Sequence, residues 1–482
     1  MRRIQSWPVR AGASVIGGAL AMSVATLTPP ASAAPQAPRA VAVTQSGPVS
    51  TTPAIGTPSL VPTSTANVVV RQLVQCNGTM FAVGKFTQVT WNGQTFTRNN
   101  AFSFSATAPY TMSTWDPNVN GEVNSIALSA DCSEAYLGGQ FTSVGGTSAG
   151  NIAEVDASTG AVNPAFGHKA EAVIYTLLLT PSTSPGGQHL LVGGNDNAIN
   201  GSNADPYYTS LDPTTGANDG YLSLNISGHY VYPGALPNTT GVFNQQLSPD
   251  GTEVLAEGDF TSVGGQARQQ IFMLSLGATS ATLTGWYPAD FSQFCGDRHP
   301  LYVKAAAWSP DGKTVYVADT GKVILNWNKS FPLAPPNLCD VIAAFPSAST
   351  AGPDPLWTNY SGCDSFFSVA ADSFAVYAGG HERWADNQNG CDSNGSGSIP
   401  DQGLTGVNPS TGALITNAAG TKGAYSMSRA NADDMLIIPP GTPGTPAPPD
   451  PGLWIASTDR FGADKCGGAG GHTGICFLPY PA

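Results

Sequence analysis

The sequence predicts an all-β domain built from repeats, and three observations carry that expectation. Charged residues are only 11% of the 482, while glycine (56) and proline (39) are abundant. Low charge with many turn formers and few helix formers favours strands. No segment sustains a 3.6-residue apolar period, so helices should be few. A short line also recurs: Leu137-Gly138-Gly139-Gln140-Phe141-Thr142-Ser143-Val144-Gly145-Gly146 is matched by Ala256-Glu257-Gly258-Asp259-Phe260-Thr261-Ser262-Val263-Gly264-Gly265 and, less fully, by Ala82-Val83-Gly84-Lys85-Phe86-Thr87-Gln88-Val89.

Weaker copies are Val192-Gly193-Gly194-Asn195, Val317-Ala318-Asp319, Ala378-Gly379-Gly380-His381 and Ile455-Ala456-Ser457. Aligning Gly84, Gly139, Gly194, Gly258, Ala318, Gly380 and Ala456 gives steps of 55, 55, 64, 60, 62 and 76 residues. Each unit has one internal order. An apolar or alternating strand such as Val123–Leu128 or Val303–Trp308 comes first. A tight turn follows, cleanest at Ser248-Pro249-Asp250-Gly251 and Ser309-Pro310-Asp311-Gly312, where Pro presets φ and Asp-Gly bends the chain. A second strand ends in the Gly-Gly-x-Phe line, whose glycine lets backbones approach and whose Phe can pack between units. A third strand, such as Asn151–Asp156, leads into turns that begin with Asx and end in Gly: Asp156–Gly160, Asp212–Gly216 and Asn408–Gly412. Units of this length and order predict a seven-bladed β-propeller of four-stranded antiparallel blades over residues 66–482.

Phe-Thr-Ser-Val-Gly-Gly after a Gly-Gly strand, with Ser-Pro-Asp-Gly and Asp-x-x-Thr-Gly turns, resembles the delta-60-type repeats of secreted bacterial propellers. Trp115-Asp116-Pro117 and Trp286-Tyr287-Pro288 resemble the Trp-x-Pro that precedes a repeat in that family. The resemblance is strong near residues 80–160 and 245–290 and thin after 320. It implies the propeller fold and transfers no catalytic residue, because the family shares no activity. The ring is expected to close with strands from both termini, Val68–Val74 and Ile475–Leu478, since an open stack would leave edges exposed to aggregation.

The first residues read as an export signal. Arg2, Arg3 and Arg10 precede an apolar, small-residue stretch, and Pro29-Pro30-Ala31-Ser32-Ala33 offers a cleavage site, so residues 1–33 form a signal peptide. Ile4-Gln5 after the arginine pair argues against the twin-arginine route. Residues 34–65 are dominated by Pro, Thr, Ser, Ala and Val and are expected to be a disordered linker, unable to bury enough surface to offset ordering. No stretch reaches the roughly 20 apolar residues of a membrane span, and no C-terminal sorting signal is expected. The protein is therefore placed outside the cell, free or loosely held at the cell wall.

Net charge is −13 for the whole chain and about −16 without residues 1–33, which argues against nucleic acid and anionic membranes as partners. The eight cysteines are Cys76, Cys132, Cys295, Cys339, Cys363, Cys391, Cys466 and Cys476. None forms C-x-x-C and none has a histidine at zinc spacing, so disulfides are expected rather than metal. Eight cysteines allow 105 pairings. Pairing in sequence order is the simplest, and Cys76–Cys132 is favoured further because both sit in the same tight turn of successive units.

The most distinctive local segment is Gly379-Gly380-His381-Glu382-Arg383-Trp384, which departs from the Phe-Thr pattern. His381, Glu382, Arg383 and Trp384 could form a polar, aromatic-lined binding spot suited to sugars or carboxylates. The plainer reading continues a strand into a turn, with Glu382 and Arg383 on opposite faces. The next loop, Asp386 to Gly395, is rich in oxygen ligands but lacks the spacing of a calcium loop, so a polar loop pinned by Cys391 is preferred. Asp297, beside Arg298 and His299, and Asp364 follow cysteines. Two such acids meeting on one face could hydrolyse a glycosidic bond, although acids beside disulfides are ordinarily just solvated. No G-x-S-x-G or HExxH motif is present, and His168, His189, His229, His299, His381 and His472 are scattered.

These observations favour a secreted, monomeric, non-catalytic binding protein without cofactor or metal. Its loop face or central channel would take an extracellular glycan or protein. The alternative is an extracellular polysaccharide hydrolase or lyase using loop carboxylates.

Overall fold

The computed structural model describes residues 45–482 except 168, 196–197, 202–204, 230–238, 293–294, 296–301, 322–334, 336, 349–350, 417–424, 426–430, 446, 460–465, 467–471 and 482. Among the described residues the regular structure is strand, apart from one 3-10 turn at Ala289–Ser292. The fold is all-β. No helix among these residues is long and apolar enough to cross a membrane.

The strands fall into consecutive antiparallel groups. Their lead strands are Val68–Cys76, Glu122–Leu128, Ile174–Leu179, Gly241–Leu247, Tyr302–Trp308, Phe366–Ala371 and Asn431–Ile438. Each pairs with the strand after it, which pairs with a third. Among the described residues a full fourth strand follows in two groups, at Ala281–Leu283 and Trp357–Tyr360. In four others it shrinks to single bridges, Met112 to Phe104, Val162 to Val155, Asn218 to Leu211 and Leu414 to Val407. After Val162 the ladder is cut short by Pro164, which has no N–H to donate. The uniform four-stranded unit expected from the sequence is thus thinner at its outer edge.

Hydrophobic cores lie between successive groups. Phe81 and Val83 pack with Trp115, Val123 and Leu137; Tyr136 and Ile152 with Ile174 and Leu190; Leu191 and Tyr208 with Val254 and Phe272. Leu255 and Met273 meet Val315 and Phe345, Tyr316 and Ile342 meet Phe366 and Val376, and Tyr377 meets Met435 and Leu453. The last core joins the two ends of the chain: Val70, Met80 and Phe102 pack with Trp454, Ile475 and Phe477. Val68 and Val69 also pair with Asp459 and Thr458, which merges the first and last groups into one six-stranded sheet. Among the described residues no single sheet closes on itself.

The turns form for the reasons their residues suggest. Asp156, Asp212 and Asn408 each accept two following backbone N–H groups through the side-chain oxygen. Ser248 and Ser309 donate to Asp250 and Asp311, with Gly251 and Gly312 at φ 73 and 70. In the corresponding turn Ser129 donates to Asp131, and Cys132 takes the left-handed position at φ 62, bonded to Cys76. The repeated Phe-Thr-Ser-Val-Gly-Gly line is a buried Phe followed by a two-residue hairpin: Ser143–Val144 pairs with Thr147–Ser148, and Ser262–Val263 with Gln266–Ala267. The cysteines pair in sequence order: Cys76–Cys132, Cys295–Cys339, Cys363–Cys391 and Cys466–Cys476.

Part of the stretch expected to be a linker, residues 34–65, is held against the strands: described residues between Val49 and Leu60 make backbone hydrogen bonds to them. Ser50 and Ala54 donate their N–H groups to the carbonyls of Pro479 and Phe477, along the outer edge of the last strand. Val49 is gripped at both backbone ends, donating to the Tyr377 hydroxyl at 2.9 Å and accepting from Tyr425 at 2.7 Å. Ser59–Leu60 pairs with Val89–Thr90, and Leu60 is buried in the core that joins the chain ends. Composition misled here because backbone hydrogen bonds to an open strand edge require no particular side chain.

Candidate functional site

One irregularity recurs at the start of every lead strand. Val70 lies opposite Gly84 but Gln72 lies opposite Val83, which leaves Arg71 as an extra, unpaired residue. The same register shift leaves out Asn124, Tyr175, Phe243, Lys304, Phe367 and Asp433. A β-bulge of this kind bends its strand and re-aims the extra side chain.

The bulges explain the glycines of the repeated line. A Cβ at Gly84, Gly139, Gly258 or Gly380 would fall 2.0–2.2 Å from the carbonyl oxygen of Val69, Glu122, Gly241 or Ser365. Only glycine admits that approach. The structural register also corrects the alignment at two units. Ala318 pairs with Ala305 and Ala456 with Asp434, so Asp319 and Ser457, one residue on, stand where the glycine does elsewhere.

The bulged residues share a space. Arg71, Asn124, Tyr175, Phe243, Lys304 and Asp433 line a cavity of about 420 Å³. A second, of about 540 Å³, is lined by Arg71, Lys304 and Asp433 again, with Phe367 and Lys85. Arg71 Nε lies 2.8 Å from Glu122 Oε1, and its Nη1 lies 2.9 Å from Asp433 Oδ1. Lys85 Nζ approaches Glu122 at 3.9 Å. Burial would lower the Arg71 pKa, but Asp433 and Glu122 outweigh it and hold the guanidinium above its ordinary value. Asp434 accepts the Leu73 N–H at 3.2 Å, and burial pushes its carboxyl up to about 6.

Lys304 differs from these. Among the described residues no carboxylate lies within ion-pair distance of its ammonium, which sits 5.4 Å from the Tyr302 ring centre. Its side chain is exposed to the recess; desolvation by the surrounding walls lowers its pKa, and the carboxylate of Asp259 opposes that shift. Aromatic surface flanks it in the same cavities. Phe243 is 37% exposed and meets Tyr175 edge to face at 5.0 Å, while Asn195 donates to the Tyr175 hydroxyl at 3.1 Å. Cations, acids, amides and exposed rings thus face one recess, a combination able to orient a polar ligand with apolar faces.

The residues singled out by sequence have divided fates. His381 is exposed and packs edge to face against Phe367 at 4.8 Å, which puts it beside the cavity lining. Glu382 is fully buried, and among the described residues neither carboxylate oxygen has a side-chain hydrogen-bond partner. Burial, then neighbouring Asp401, hold its pKa far above the usual carboxylate range. Arg383 is half-exposed. Its Nε and Nη2 reach the two oxygens of Asp364 at 2.7 and 2.8 Å, Nη2 reaches Asp392 Oδ1 at 3.0 Å, and its guanidinium lies 4.4 Å from the Trp384 ring centre. The Cys363–Cys391 disulfide sets up this cluster, since Asp364 and Asp392 are the residues next to its two cysteines. Two acids do converge, but on an arginine rather than across an open cleft. Asp297, with Arg298 and His299, lies outside the described residues.

The oxygen-rich loop holds itself together. Asn387 donates to the carbonyls of Ser361 and Ser393 and accepts from the Gly395 N–H. Among the described residues no group of three or more His, Cys, Asp or Glu side chains is arranged to hold a metal.

Sequence reasoning missed the bulged positions, each of which looks like an ordinary strand residue. A signal does exist. Val70-Arg71-Gln72, Val123-Asn124-Ser125, Ile174-Tyr175-Thr176, Val242-Phe243-Asn244 and Val303-Lys304-Ala305 share an apolar first residue, while the middle one changes its chemistry freely.

No protein-family model and no curated protein matches the chain. Solved structures similar to it include U3-55K (TM-score 0.41, 9% identity, 89% of this chain and 99% of that one) and the RRP9 WD40 repeats (0.42, 10%, 89% and 99%). The extracellular domain of the one-component system BT4673 from B. thetaiotaomicron is also similar (0.43, 11%, 88% of this chain and 40% of that one). At these scores the likeness adds nothing to what the chain's own strands and cores establish.

Proposed function

We propose that this chain is a secreted, non-catalytic binding protein, a seven-bladed β-propeller whose channel mouth holds an extracellular ligand. One observation carries the reading: every lead strand aims one bulged residue into a shared recess, from Arg71 round to Asp433. The cyclic succession of cores, with the last between the two chain ends, supports a seven-bladed ring. The Ser50–Ala54 segment would act as the outermost strand of the final blade. The delta-60-type repeat belongs to the same reading.

Four disulfides suit an oxidising compartment, and with the expected signal peptide at residues 1–33 they favour export. Loose retention at the cell wall and a monomeric state are part of the proposal. The hydrolase or lyase alternative is less favoured, because a glycosidase needs two carboxyl groups flanking the bond to be broken. Glu122 and Asp433 are engaged by Arg71, and Asp364 and Asp392 by Arg383.

The test is to probe the purified mature chain against arrays of glycans and of secreted or surface proteins, and to assay sugar release from common polysaccharides. Binding lost in Phe243→Ala together with Tyr175→Ala, with no release, is the expected result. Saccharide release abolished by Asp433→Asn would overturn the non-catalytic reading.

A further inference from the structure

The cavity lining is nearly self-neutralised, with one exception. Arg71 is bracketed by Glu122 and Asp433, Lys85 leans on Glu122, and Asp434 is tied to the Leu73 backbone. Lys304 has no such partner within ion-pair distance among the described residues; the carboxylate acting on it belongs to Asp259, which is buried. It lines both cavities, and the ring-bearing neighbours Phe243 and Phe367 line one each. The Lys304 side chain is exposed within a concave recess, so its ammonium is accessible to pair with an anionic group of a ligand. The recess is concave and a few hundred Å³ in size, which suits one terminal sugar better than a protein surface. Exposed aromatic faces would pack against the C–H faces of such a sugar, and the side chains of Asn124, Asn244 and Gln140 lie in the same lining for its hydroxyls.

Resting on the binding reading above, we propose that the channel mouth takes the acidic end of an extracellular glycan. A uronate-type terminal sugar would place its carboxylate on the Lys304 ammonium and its ring against Phe243 or Phe367. The charge-assisted hydrogen bond supplies selectivity for acidic over neutral sugars, and the aromatic rings supply contact common to both.

The experiment compares glucuronate-terminated and glucose-terminated oligosaccharides by calorimetric titration of the mature chain and of its Lys304→Met and Lys304→Arg variants. Melting curves of all three check that they fold. The acidic sugar should bind roughly tenfold or more tightly than the neutral one. That preference should vanish in Lys304→Met and survive in Lys304→Arg. Equal binding of the two sugars, or a preference that survives Lys304→Met, overturns the assignment. If arrays show that the chain captures only neutral glycans or only proteins, the inference falls while the binding reading stands. Capture of nothing by the wild-type chain sinks both.

Discussion

Two arginines in this molecule are each bracketed by two carboxylates, and they do different jobs. Arg71 reaches Glu122 and Asp433, residues of the second and last strand groups, and so ties chain segments far apart in sequence across the shared recess. Arg383 reaches Asp364 and Asp392, both within thirty residues of it and both adjacent to one disulfide. Similar local geometry thus serves long-range closure in one place and a stapled loop in the other. An ion-pair cluster is informative mainly through where its partners come from, since the pair energy itself is modest when solvent reaches it.

The largest expected effect separates the two clusters by covalent means. Replacing Cys363 and Cys391 together with Ser should cost about 3–4 kcal/mol of stability through the freed loop. It should also loosen Asp364 and Asp392 around Arg383 while the surroundings of Arg71 stay protected, as hydrogen exchange would report. Protection lost equally at both sites would mean the clusters are not independent. Next in size, Arg71→Ala leaves Asp433 without its cation and Glu122 with only Lys85 at 3.9 Å. A cost of about 2–3 kcal/mol is expected, below that of a dry buried pair because the Arg71 side chain is 38% exposed; urea unfolding would measure it.

A pH series sharpens the contrast further. Close to Arg383, burial lifts Asp401 to about 7, and elsewhere it lifts Glu257 to about 8. Carboxyls whose folded pKa is raised stabilise the fold at pH below their unfolded value near 4, and that contribution is lost as pH climbs through the folded value. The melting temperature should therefore fall by several degrees between pH 5 and pH 8.5. Asp401→Asn and Glu257→Gln should each flatten the slope, and a melting temperature that rises over this range would contradict the burial of these groups. The smallest effect is expected from Arg383→Ala, about 1 kcal/mol by denaturant titration. That value approaches the Arg71→Ala cost only if the stapled loop bears load beyond its disulfide.

What could be read from the sequence was local chemistry. Asp156, Asp212 and Asn408 announce their turns because the side chain itself makes the turn's hydrogen bonds. Cys76–Cys132 followed from repeat position. What escaped notice depended on register or on backbone alone. Arg71, Lys304 and Asp433 matter because a bulge sets them outside the ladder, and the bulged residue itself has no fixed type. The glycine opposite does mark it, yet its meaning appears only once the partner carbonyl is located. Val49 to Leu60 escaped because Pro and Thr are poor predictors of a segment whose ordering comes from backbone contacts to Phe477 and Pro479.

The bulged column has a consequence for how this protein can change. A residue outside the ladder contributes no strand pairing, so its identity is largely uncoupled from the frame, ion-paired Arg71 and Asp433 aside. The fixed cost is charged to the partner strand, usually as a glycine. The recess therefore behaves like a socket with one replaceable pin per strand group, and related chains could exchange ligands by swapping pins while leaving the housing untouched.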